Sequence, residues 1–140
     1  MTQGVSTPHL PQRAAIDSYG NGGFRFAGMS HRGSLLCLPS GIWAWPVTTV
    51  DDIDDAAFAR LFAEAATVDF FILGSGDRSW PLPEPLRWRF REHSIRVEVM
   101  TTGAAVRTYN IVLGEKRLAA AGLIAIATDG VAQSQPRRSP

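Results

Sequence analysis

The chain has 140 residues, 45% of them hydrophobic, with 14 basic and 13 acidic side chains and a formal charge of +1. That length suits one domain able to bury its own core, and the apolar share excludes global disorder. No uncharged run is long enough to read as a membrane span, and the near-neutral balance argues against a dedicated nucleic-acid binder.

The basic side chains are Arg except for Lys116, a bias that needs no phosphate partner to explain it. The lone Cys37 permits no internal disulfide and fits a reducing compartment. The first ten residues lack a charged segment followed by an apolar one, so no signal peptide is expected and a cytoplasmic location is. Residues 1–13 read as a flexible N-terminus, 14–128 as a single α/β domain, and 129–140 as a flexible tail.

Short strands are expected over Ile16–Tyr19 and Phe24–Gly28, flanking a Gly20-Asn21-Gly22-Gly23 turn that tolerates positive φ. Ser34–Leu38 and Gly41–Val47 form a second apolar pair around Pro39-Ser40, so the N-terminal third is β-rich and antiparallel. After Asp51, with Asp54 or Asp55 as cap, the residues Ala57, Phe58, Leu61, Phe62 and Ala65 recur at helical spacing. Val68–Leu73 reads as a buried strand, a helix is expected over about Pro83–His93, and Ile95–Met100 is the next strand. A third helix spans about Thr102–Gly114, and Leu118–Ala127 is a final apolar strand. The back of the chain is thus β-α-β-α-β, the pattern of parallel strands with helical crossovers. The expected fold is a three-layer α/β domain with a mixed central sheet.

Parallel strands ending at Leu73 and Met100 would place Gly74-Ser75-Gly76 beside Thr101-Thr102-Gly103, at the sheet edge where open α/β folds bind ligands. The third helix starts there with free N–H groups suited to an anion. Arg107 and Asn110, spaced i, i+3, are its main polar side chains and share a face. The alternative is structural: the glycines permit a sharp turn, a Thr caps the helix, and Asn110 caps a neighbouring chain end. His9, His31 and His93 lack metal-ligand spacing, and no phosphate loop or nucleophile elbow occurs, so neither a metal nor a cofactor is expected. Arg87, Arg89 and Arg91 form a basic strip with Arg78 and Arg96 nearby, offset by Glu84, Glu92 and Glu98, and read as a solvated face. Trp43 and Trp45 point to one face of their strand, either in the core or as anchors of a protein interface.

Several runs occur together: Tyr19-Gly20-Asn21-Gly22-Gly23-Phe24-Arg25-Phe26, Gly33-Ser34, Leu73-Gly74-Ser75-Gly76, Pro81-Leu82-Pro83, Val97-Glu98-Val99-Met100-Thr101-Thr102, Ala104-Ala105 and Thr108-Tyr109-Asn110. In this the chain resembles the family of uncharacterised bacterial and archaeal domains that includes the mitochondrial complex I (NADH:ubiquinone oxidoreductase) assembly factor 3. The likeness covers about Ile16 to Ile126. It implies a three-layer α/β domain with a mixed sheet, no established enzymatic activity, and a role in assembling a respiratory membrane complex through protein contacts. It carries over Gly74, Ser75, Gly76, Met100, Thr101, Thr102, Arg107, Thr108, Tyr109 and Asn110 as the patterned surface. Two departures stand out. Ser75 replaces a common Thr, and Glu115-Lys116-Arg117 replaces the usual Glu-Gly-Arg.

Overall fold

Residues 9–127 are described by a computed structural model. The expectations for residues 1–8 and 128–140 lie outside it. Asn21 and Gly22 (φ +53° and +79°) make a two-residue turn joining β1 (Ser18–Gly20) to β2 (Gly23–Phe26). Positive φ at both central residues matches the strand twist, which is why Asn-Gly suits it. A second such turn at Ala27-Gly28 (φ +51° and +75°) leads into β3 (Met29–Arg32), a strand the sequence reading lacks. Ala is a poor residue at positive φ, so the sequence there carries little turn signal.

These three strands form a sheet of their own. The larger sheet contains β4 (Ser34–Leu38), β5 (Gly41–Trp45), β6 (Phe70–Gly74), β7 (Arg96–Met100) and β8 (Ala119–Leu123), in the order β5-β4-β8-β6-β7. β6, β7 and β8 are parallel, whereas β4 runs antiparallel to both β5 and β8. The sheet is therefore mixed, and the last of these five strands in sequence lies at its centre.

The expected helix after Asp51 is instead broken. Short 3-10 turns at Val50–Asp52, Asp55–Phe58 and Ala65–Thr67 surround one brief helix, α1 (Ala59–Ala63). Thr49 and Asp52 form a capping box, and Asp54 accepts from the Ala57 N–H, so side chains restart the turn twice within six residues. α2 (Glu84–Glu92) and α3 (Thr102–Gly114) match expectation closely. The crossover through α2 runs outward from β6 to β7, and that through α3 returns past β6 to β8. Two right-handed crossovers of opposite direction must use opposite faces. Three layers result: α1 and α2, the five-stranded sheet, then α3 with the three-stranded sheet.

Both faces of the sheet are consequently buried. One cluster unites Leu36, Trp43, Trp45, Phe58, Phe71, Leu73 and Phe90; the other unites Phe24, Phe26, Leu35, Cys37, Ile72, Ala105 and Tyr109. Phe58 meets Phe71 and Phe90 edge-on at 5.7 and 5.0 Å, contacts worth about 1 kcal/mol each beyond area burial. Trp43 and Trp45 belong to this core rather than to a surface, with Trp45 Nε1–H donating to the Ala57 carbonyl at 2.8 Å. β8 carries Gly at 122 because aromatic rings press on it there: a Cβ on Gly122 would stand 2.8 Å from Trp45 and 2.9 Å from Phe71.

Candidate functional site

Gly74 pairs in register with Met100, so the carboxyl ends of β6 and β7 do lie side by side. The Ser75 N–H donates to the Met100 carbonyl at 2.8 Å, and the Ser75 hydroxyl reaches the carbonyls of Arg78 and Met100. Thr102 is fully buried. Its N–H donates to the Gly76 carbonyl (2.8 Å), its Oγ1 accepts from the Gly76 N–H (2.9 Å), and its hydroxyl donates to the Ile124 carbonyl (2.7 Å). One side chain thus ties the two loops together and fastens both to the chain leaving β8.

The crevice between strands whose connections diverge is where such sheets bind ligands, and here it falls between β6 and β8. Thr102 spans that gap. The glycines beside it meet protein. A Cβ on Gly74 would stand 3.0 Å from Ala105 Cβ and Thr102 Cα, and one on Gly103 2.5 Å from the Tyr19 hydroxyl.

The remaining expected residues lie farther along α3. Thr108 Oγ1–H donates back to Met100 Sδ at 3.5 Å. Arg107 is exposed. Asn110 shares its face by spacing, yet its carboxamide binds the main chain of Ile16, Oδ1 accepting from the N–H and Nδ2 donating to the carbonyl, each at 2.9 Å. Tyr109 is buried, and its hydroxyl has no hydrogen-bond partner among the described residues; burial pushes its pKa up. The same burial pushes the Cys37 thiol up to about 12, which leaves it un-ionised and unreactive at neutral pH.

Two further surfaces lie outside the expected site, the second of them along the basic strip of α2. The outer face of the three-stranded sheet is a shallow concavity of about 480 Å³ lined by Ser18, Gly20, Gly23, Arg25, Ser30 and Arg32. Its signal is the alternation in β2, where exposed Arg25 separates buried Phe24 and Phe26. The second is a cleft of about 490 Å³ between α2 and β7, lined by Phe70, Arg87, Arg91, Arg96 and Glu98. Arg96 and Glu98 are exposed and take part in no ion pair among the described residues. No helix among those residues is long and apolar enough to cross a membrane.

The crossovers on opposite faces, the mixed sheet and the Thr102 tie define a three-layer α/β domain whose loop polar groups are spent on its own chain. Within that class the chain belongs to the protein family of unknown function DUF498/DUF598, whose profile matches residues 16–124. It is 49% identical to a Rhodopseudomonas palustris protein whose NMR structure it matches with a TM-score of 0.76, over 89% of this chain and 93% of that one. An outer membrane protein of Bartonella henselae is 46% identical, with a TM-score of 0.81 over 84% of this chain and 99% of that one. NADH dehydrogenase (ubiquinone) 1 alpha subcomplex assembly factor 3 of Homo sapiens is 31% identical over 113 residues, 81% of this chain and 61% of that protein. This chain therefore spans about three-fifths of the length of that relative. The expected family and fold are both borne out.

Lys116 now has a structural setting. It closes α3 at φ +60°, its N–H bonding to the Leu113 carbonyl and that of Arg117 to the Val112 carbonyl. This is the double-bonded helix end that glycine favours.

Proposed function

We propose that this domain is a non-enzymatic protein-interaction module that assists the assembly of a respiratory membrane complex from the cytoplasm, with protein subunits or other assembly proteins as its partners. The observation that carries the reading is the likeness to the human assembly factor across 81% of this chain, nearly all of its folded part. Support also comes from the loops. Ser75, Thr102 and Asn110 have polar side chains already satisfied within the chain, as residues serving a scaffold would. The competing reading, a small-anion site or enzyme at Gly74–Gly76 and Thr101–Gly103, gains little from glycines that face Thr102, Ala105 and Tyr19.

Deleting the gene in its native host tests the proposal, with assembled NADH:ubiquinone oxidoreductase measured on native gels. Loss of the full complex with accumulation of subcomplexes, restored by the intact gene, is expected. An unchanged amount of complex would overturn it.

A further inference from the structure

The two edges of the five-stranded sheet are treated differently. Along β5, the N–H of His9 donates to the Ile42 carbonyl (2.8 Å) and the N–H of Ile42 to the Leu10 carbonyl (2.9 Å), so that edge is covered. Along β7 no strand pairs on the outer side among the described residues. The Arg96 N–H donates to Asp69, and the Met100 carbonyl accepts from Ser75. Residues 96, 98 and 100 therefore address β6, and the N–H and C=O groups of Val97 and Val99 project outward. An open row of this kind is a template for another strand.

We infer that β7 pairs antiparallel with β7 of a second copy of this chain, about a two-fold axis at Val97. In that register Val97 exchanges both hydrogen bonds with its counterpart, and each Val99 N–H meets the Ile95 carbonyl of the other copy. All four outward N–H groups find acceptors. Charge selects the same register. With the axis at Val97, Arg96 of each copy faces Glu98 of the other, in the close non-hydrogen-bonded positions where side chains interact most strongly. Moving the axis to Glu98 would set Glu98 against Glu98, and moving it to Arg96 would set Arg96 against Arg96. The unpaired Arg96 and Glu98 of one chain are thus complementary to each other across two. The contact is short, so the dimer is weak and concentration-dependent.

The test is a dilution series of the full chain from micromolar to millimolar, followed by sedimentation and backbone amide shifts. The mass rises from 15.2 kDa toward twice that value, and the concentration-dependent shifts centre on Val97 and Val99. R96E and E98R, with folding checked by their amide spectra, each weaken association about ten-fold, and the double exchange restores it. A mass fixed at 15.2 kDa to millimolar concentration would overturn the inference. So would shifts centred elsewhere, or a double exchange no better than either single one. The dilution series is independent of the gene-deletion experiment, so either result can fail alone.

Discussion

Asn110 and Ile16, 94 positions apart, are joined through both halves of an amide group, the side chain of one reading the N–H and C=O of the other. The bond pins the segment before β1 to the middle of α3, so the three-stranded sheet is anchored to the helix as well as packed on it. The geometry is that of a strand partner supplied by a side chain.

Asn110→Ala removes both bonds and leaves two main-chain groups of a buried residue without partners. Each lost bond costs about 1 kcal/mol, so a loss of about 2 kcal/mol is expected in chemical denaturation. Asn110→Asp keeps the acceptor but not the donor and should fall between the two. Equal stability of the Ala variant and the parent would show that the pair contributes nothing.

Thr102→Val keeps the shape but takes the acceptor from Gly76 and the donor from Ile124 in a fully buried place. A cost of about 2–4 kcal/mol follows, with Thr102→Ser recovering most of it. Amide exchange at Gly76 should speed up selectively in the Val variant. Unchanged exchange there would contradict the tie.

Lys116→Gly should stabilise the chain by about 1 kcal/mol, because φ +60° is costly for a residue with a Cβ and free for glycine. Lys116 is exposed, so the substitution removes no packing. A thermal melt reads the effect directly, and a lowered midpoint would contradict the assignment.

His31 carries a pH dependence. Burial lowers its pKa from 6.5, the nearby His9 ring at 4.6 Å lowers it further, and the Ser34 carbonyl, accepting from Nε2–H, opposes both. The unfolded chain therefore binds this proton at a higher pH than the folded one. Stability from neutral His31 is complete above about pH 6.5 and declines as pH falls from there through the lowered folded value. An NMR titration should place the His31 midpoint below 6.5, and His9→Ala should raise it. A midpoint at or above 6.5 would refute the account.

Periodicity carries α2, β7 and α3, because apolar positions repeat over enough residues to fix both type and ends. It fails after Asp51, where the same apolar spacing is present but Thr49, Asp52 and Asp54 bind the main chain locally and interrupt the helix. β3 is hidden because Met29-Ser30-His31-Arg32 is polar and enters through an Ala-Gly turn. At the sheet edge, the juxtaposition of Gly74 with Met100 follows from parallel pairing alone. What Thr102 does there does not: its acceptor on Ile124 depends on the strand order, which no local pattern encodes. The register inferred for β7 lies beyond any local pattern for the same reason, since facing positions exist only once a register is chosen.

The hairpin of β4 and β5 and the parallel pair of β6 and β7 share no ladder; β8 alone stands between them, bonded to both. It is also the last of the described strands to emerge during synthesis. Without β8, a strand-width gap separates the β4 edge from the β6 edge. Closing that gap joins segments distant in sequence, a slow step that puts the nascent chain at risk of pairing with neighbours. Truncation before Ala119 would therefore remove the keystone of the sheet, leaving two fragments of a fold where a shortened domain would be looked for.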